Sequence, residues 1–335
     1  MLTAFKKGRT VLFKDQPEPR PQAGQILVRV RACGVCGTDL HENPGTAAQE
    51  AVMTGHEIAG EVLELGPGVT GLTVGQKIVL DSATPCGRCD ACRNARQELC
   101  TDIQSFFFLN SFGYAEKMIA PAVSAMPCAD LAPEVATLQE PLGVAIDLVR
   151  LADLQPGLSN VLILGQGPIG LMATALAKRA GARRIFTTEL ASRGKRIELS
   201  RRFGADVCFD PAATPVEKYD FGCAIDRILV TAPPKTLNGA FAVAAKGAII
   251  SFIGIAFGDG ANVTFDANDF HFKKLQLRAS FASPALFGAQ ALQFLREGVI
   301  DGPALLTHTF PLARLQEALD TARSNPDAIK VAVNP

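Results

Sequence analysis

The hydrophobic pattern of the chain changes character near position 140. Before that point, apolar residues fall in short runs broken by glycine and proline. Gln25-Ile26-Leu27-Val28-Arg29-Val30-Arg31-Ala32 ends in alternation, the mark of a half-buried strand. Residues 60–65 and 76–80 read as further strands, divided by Gly66-Pro67-Gly68 and by Gly71 and Gly75. This predicts an all-β region of roughly 130 residues. Beyond it, the apolar run Val161-Leu162-Ile163-Leu164 leads into glycines and a helical stretch at 171–178. A strand at 184–188, a charged helix at 193–203 and strands at 222–230, 247–254 and 274–281 follow. Strands alternating with helices predict an α/β domain built on a doubly wound parallel sheet. From Leu306 the texture becomes α+β, and no internal repeat is visible.

Composition narrows the class. A chain of 335 residues is long enough for two cores, and 48% hydrophobic with 20% charged residues reads as soluble and globular. Basic and acidic residues balance at 33 each, which gives no electrostatic reason to expect nucleic acid or an anionic membrane as partner. No apolar run is long enough to predict a membrane span. Residues 1–7 lack the basic-then-apolar order of a signal peptide, so the cytoplasm is the expected compartment. Nine cysteines suit a disulfide framework poorly, and four of them are bunched together, as metal ligation in a reducing compartment requires.

Those four are Cys86, Cys89, Cys92 and Cys100. Thiolates this close can surround one Zn²⁺, and Gly87 lets the chain turn about it. An iron–sulfur site shares the Cys-x2-Cys-x2-Cys spacing, but no Cys-Pro pairing follows. A closed site of this kind holds structure and performs no chemistry. A second constellation, Cys36-Gly37-Thr38-Asp39-Leu40-His41 followed by Gly55-His56-Glu57, offers a mixed thiolate, imidazole and carboxylate set. Zinc favours such donors, and three of them leave one coordination position open for chemistry. Cys33 and Cys36 also form a Cys-x2-Cys pair, readable as a redox pair, while Cys33 alone reads as core.

Gly165-Gln166-Gly167-Pro168-Ile169-Gly170 follows an apolar strand and opens a helix, the context that a dinucleotide loop needs. Its first glycine permits the turn, its second admits a pyrophosphate and its third allows close helix packing. Pro168 and Ile169 begin the helix, whose free N–H groups face phosphate. Glu189 closes the next strand about 20 residues on, where a carboxylate accepts ribose hydroxyls and repels a 2′-phosphate. That favours NAD over NADP. Arg193, with Lys195 and Arg196, is the basic alternative that suits NADP, and also reads as the solvated face of a helix.

Taken together, Arg31-Ala-Cys-Gly-Val-Cys-Gly-Thr-Asp-Leu-His41, Gly55-His-Glu57, the four-cysteine group, Glu140-Pro141-Leu142 and the glycine loop resemble the medium-chain, zinc-containing alcohol dehydrogenase family. The polyol (sorbitol) and threonine dehydrogenase branch is the most similar. The resemblance implies a GroES-like β domain over 1–141 carrying both zinc sites. An NAD-binding Rossmann domain over 142–282 and a return to the first domain over 283–335 complete the expected organisation. It implies two zinc ions per chain, with Cys36 and His56 as ligands of the catalytic one and either Glu57 or Glu140 as the third. Hydride then passes between a secondary alcohol and NAD, zinc acting as Lewis acid, Thr38 binding the reacting oxygen and His41 handing the proton to solvent. The expected partners are a small-molecule alcohol or ketone and further copies of the chain, as a homodimer or homotetramer.

Three substrate classes stay open: polyols or sugar alcohols, amino alcohols, and more apolar or cyclic secondary alcohols. Glu42 after His41, and Phe281-Ala282-Ser283-Pro284, depart from the polyol pattern. Of Phe106, Phe107 and Phe108, at least one is expected to line the substrate pocket, with core or subunit contact as the alternative. A zinc-independent quinone or enone reductase and a non-catalytic NAD-binding protein are the rival functions, both opposed by the retained Cys36, His56, Thr38 and His41.

Overall fold

The computed structural model describes residues 1–41 and 50–335. Two compact units emerge, one formed by Met1–Gly143 with Ala282–Pro335, the other by Val144–Phe281. The change of unit falls inside a helix, Gln139–Leu151.

The first unit opens with a hairpin of β1 (Leu2–Lys7) and β2 (Thr10–Asp15). Its main sheet contains β3 (Gln25–Gly34), β4 (Glu57–Leu65), β5 (Lys77–Leu80), β6 (Lys117–Pro121) and β7 (Ala125–Pro127). The alternation read in the sequence now has its cause. Val28, Val30, Ile58, Val62, Ile78 and Leu80 are almost wholly buried in one core with Phe106 and Tyr114. Strand β4 starts earlier than its apolar run suggested, because Glu57 pairs with Gly34 at the end of β3. Gly60 allows the two strands to approach; a Cβ there would lie 2.6 Å from the Arg29 carbonyl.

The second unit carries β8 (Asn160–Leu164), β9 (Arg184–Thr188), β10 (Val207–Phe209), β11 (Ile225–Val230), β12 (Ala244–Phe252) and β13 (Gln276–Ala279). All pairings are parallel in the order β10-β9-β8-β11-β12-β13. This is the doubly wound dinucleotide-binding order, whose switch point lies between β8 and β11. Strand β8 is buried on both faces, which explains why its sequence is a continuous apolar run rather than an alternation.

The chain then returns to the first unit with β14 (Leu306–Pro311) and β15 (Lys330–Asn334). Strand β15 lies between β14 and β3, with Ala332 opposite Gly34 and Val333 opposite Cys33. The buried Val331 and Val333 complete the first core. Among the described residues, no helix is long and apolar enough to cross a membrane.

Phe106 is fully buried where the segment before β6 meets this core. Phe106→Ala is expected to cost about 3–5 kcal/mol, read as a lower denaturant midpoint for the first unit.

Candidate functional site

The register of three strands assembles the first constellation. Gly34 pairs with Glu57 across β3 and β4, so Cys36, just beyond β3, and His56, just before β4, emerge at the same end. One ligand atom each from Cys36, His56 and Glu57 lies within 4.8 Å of the others. Backbone geometry is held by Asp39, which is buried and accepts from Cys36 N at 3.0 Å and from the Tyr114 hydroxyl at 2.9 Å. Burial, then the charge of Asp39, pushes the Tyr114 phenol well above its ordinary pKa, so it remains a donor. Thr38 lies in the short helix Gly37–Leu40, and His41 follows at its end; both are exposed.

Strand β15 adds a residue that sequence reading passed over. Val35 N donates to the Val331 carbonyl at 2.9 Å, which brings the preceding Lys330, fully buried, beside this turn, where Nζ donates to the Val35 carbonyl at 3.0 Å and pairs with Glu57 Oε2. Glu57 Oε1 is buried with no hydrogen-bond partner among the described residues. Close packing fixes this carboxylate, since a Cβ on Gly34 would fall 2.1 Å from Glu57 Oε2. Glu140, at the start of the helix Gln139–Leu151, accepts from Ser82 Oγ at 3.2 Å. Burial raises its pKa, against the pull of His56. Burial also works against a charged His56, yet Cys36, Glu140 and Asp39 outweigh it and hold the imidazole well above its usual pKa. These donors surround a centre rich in negative charge, with an orphaned carboxylate oxygen. Soft and borderline ligands with that deficit fit a divalent zinc ion.

The second group is a compact knuckle. Cys86, Cys89, Cys92 and Cys100 bring their sulfurs within 4.8 Å of one another, and none is in a disulfide. Tetrahedral Zn–S bonds of about 2.3 Å place sulfurs about 3.8 Å apart, and Cys89 and Cys100 already stand at 3.9 Å. Backbone N–H groups of Arg88 and Cys89 point at Cys86 Sγ, each at 3.4 Å, as Gly87 turns with φ +70°. The backbone N–H groups of Cys92 and Thr101 lower the Cys89 thiol to about 6. The group fits a tetrathiolate metal. Cys33 stands apart from both sets, fully buried in the core.

In the second unit the glycine loop joins β8 to the helix Pro168–Arg179. Gly165 has φ +93°, and a Cβ on Gly170 would lie 2.0 Å from the Gly165 carbonyl oxygen. At Gly167 the position of a Cβ is open space, with room for the backbone to be approached by a phosphate. Gly167 caps the helix with no side-chain partner, Pro168 and Ile169 follow, and the first N–H groups are left for a ligand. Glu189 is buried beyond β9, where Oε1 accepts from Leu190 N at 2.9 Å. The reading of the basic cluster as a solvated face is corrected for Arg196. Its side chain is only 16% exposed, with Nη1 3.6 Å from Glu189 Oε2, because the helix Gly194–Arg202 turns that position inward. Arg193 is half-buried at the helix N-cap, and Lys195 is exposed.

The three phenylalanines divide. Phe106 is core, Phe107 is partly exposed, and Phe108 is 72% exposed. Phe107 stacks on Phe112 and sets its edge against the His56 ring, with centroids 6.0 Å apart. Glu42 lies outside the described residues. Removing one partner of the buried pair leaves a charge stranded. Lys330→Met is therefore expected to destabilise the first unit by about 3–5 kcal/mol, and adding Glu57→Gln should restore much of it in the same urea titration.

The family models that match are the alcohol dehydrogenase GroES-like domain over residues 22–130 and zinc-binding dehydrogenase over residues 168–297. L-threonine 3-dehydrogenase of Pyrococcus horikoshii is 34% identical over 78% of this chain and 76% of its own. Sorbitol dehydrogenase of Bacillus subtilis is 30% identical over 98% of this chain and 95% of its own. A solved chain from Sinorhizobium meliloti, described as a zinc-binding dehydrogenase bound to NADP, superposes with a TM-score of 0.86 at 28% identity, covering 100% of this chain and 99% of that one. With ligand sets, glycine loop and both domains in one order, the chain belongs to the zinc-binding alcohol dehydrogenase family of oxidoreductases.

Proposed function

We propose that this protein oxidises a secondary alcohol, of the polyol or amino-alcohol class, with a nicotinamide dinucleotide as hydride acceptor. The observation that carries the reading is the convergence of Cys36, His56 and Glu57, with Glu57 Oε1 buried and unsatisfied. Cys36 and His56 would hold a catalytic zinc, Glu57 supplying the third ligand and Glu140 the nearby carboxylate able to replace it. Cys86, Cys89, Cys92 and Cys100 would hold a second, structural zinc. A zinc ion with an open position acts as a Lewis acid that acidifies an alcohol.

The chain's own residues do the rest. Thr38, two residues past Cys36 and exposed, would hydrogen-bond the reacting hydroxyl and relay its proton, releasing its own as it takes the substrate's. His41, exposed at the end of the same helical turn, would pass that proton to solvent. Phe107, edge-on to His56, would wall the substrate side. The backbone of Gly165, Gly167, Pro168, Ile169 and Gly170 would receive the pyrophosphate, and Glu189 the adenosine ribose, with Arg193 beside it. Relatives named as threonine and sorbitol dehydrogenases support a hydroxylated substrate, and the solved chain bound to NADP supports a dinucleotide site. A reducing compartment such as the cytoplasm would keep the four-cysteine group as free thiols able to bind metal.

The chain would also assemble with itself. Strand β13 is the outer strand of its sheet, and none of its four residues is buried. Leu277 on it and Phe272 and Phe281 flanking it are exposed, Phe281 at 79%. An open sheet edge flanked by exposed apolar side chains would be covered by the same edge of a second copy about a two-fold axis.

Metal analysis of the purified protein should return about two zinc ions per chain. Cys36→Ser should lose one zinc and NADH formation from sorbitol and threonine while keeping the melting temperature. Cys89→Ser should lose the other and lower it. Wild-type metal content near zero with full turnover would sink the reading. Light scattering should show a dimer or tetramer, and Leu277→Lys should dissociate it by placing a charge on the shared edge.

A further inference from the structure

Two carboxylates belong to the Cys36 and His56 centre, and they are held differently. Glu57 is one of the three residues whose ligand atoms fall within 4.8 Å of one another, and Glu140 stands outside that group. Burial of His56 is outweighed by the charges of Cys36 and then Glu140, which places Glu140 in the same neighbourhood.

The segment leaving β5 restrains it. Ser82 Oγ donates to Glu140 Oε1 at 3.2 Å, and alongside, Gln139 Nε2 donates to Asp81 Oδ1 at 2.7 Å. Two neighbouring residues at the start of the helix Gln139–Leu151 are thus tied, rung by rung, to the two residues that follow Leu80. The β5 side of this clamp is pinned through its backbone. Asp81 N donates to the Ser124 carbonyl at 2.9 Å, and the Ser82 carbonyl accepts from Ser105 Oγ at 2.6 Å. Ser105 Oγ in turn accepts at 3.1 Å from the N–H of Phe107, whose ring stands edge-on to His56. Asp81, Ser82, Ser105 and Gln139 are all buried, so water competes weakly for these bonds.

A zinc site that does chemistry needs three protein donors and one position left for substrate. Cys36, His56 and Glu57 already make three. Glu140 carries an oxygen donor that zinc accepts, and a freed glutamate beside the centre would compete with an alcohol for the fourth position. We propose that Ser82 is a positioning residue for the reaction: its hydroxyl holds Glu140 beside the metal centre and out of the coordination position meant for the alcohol. The proposal rests on the reading of Cys36, His56 and Glu57 as zinc ligands, and Ser82 acts only through Glu140.

The test is imidazole binding to the cobalt-exchanged full chain, read as a shift of the visible absorption that Cys36→Ser abolishes. Imidazole enters the open coordination position. Ser82→Ala should weaken it about tenfold, because the released Glu140 competes for that position. In the Glu140→Gln background, where no carboxylate is released, Ser82→Ala should leave imidazole binding unchanged. Ser82→Thr keeps the hydroxyl and should bind as the wild type does, and it carries the test if the alanine variant does not fold. Binding that Ser82→Ala fails to weaken, or weakens equally in both backgrounds, overturns the proposal and leaves the metal reading standing. So does a loss in Ser82→Thr as large as that in Ser82→Ala. A wild-type protein with no Cys36-dependent cobalt absorption overturns both.

Discussion

The pairing of Lys330 with Glu57 is the interaction around which the first unit is organised. Burying a carboxylate costs several kcal/mol unless a cation is buried with it, and both groups here are almost completely withdrawn from water. Strand β15 delivers the lysine, and its pairing with the end of β3 sets it beside Val35. The same register fixes the Val35 carbonyl that Lys330 also binds, so backbone and side chain share one anchor. Stability and chemistry therefore draw on the same atoms. The pair engages one oxygen of Glu57 and leaves the second unspent.

The second unit poses a different problem, a tight turn between a buried strand and a helix with open space at its tip. Its solution is steric. Gly165 adopts a backbone conformation that other residues avoid, and Gly170 lets the helix sit against the Gly165 carbonyl. Gln166, fully buried, ties the turn by donating to that carbonyl and accepting from Thr174. The turn is thereby held by its own hydrogen bonds.

Much of this was legible in the residues. The glycine spacing, the four-cysteine run and the Cys36 and Gly55-His56-Glu57 motifs each name their own chemistry, because metals and phosphates tolerate few donor types and spacings. The parallel sheet was visible in the apolar run of β8. Strand β15 was not. Its five residues open on a lysine and follow a helix, so nothing local marks them as central, and the role of Lys330 appears only through a long-range register. Arg196 was misread for a similar reason: a basic residue in a charged helix looks solvated until the neighbouring strand end is placed beside it. The three phenylalanines show the limit of pattern. Their sequence says that they cannot share one environment, but only packing says that Phe106 takes the core and Phe107 the side of His56.

The first unit is discontinuous, its core closed by strands that follow the whole of the second. On the ribosome this imposes an order. The inserted unit is contiguous and can fold as soon as it emerges, whereas the Cys33–Gly34 end of β3 has no β15 to pair with until the last residues are synthesised. During that interval Glu57 has no buried cation and no reason to leave water. Premature closure around Cys36 and His56 is thus disfavoured by the same charge that later locks them.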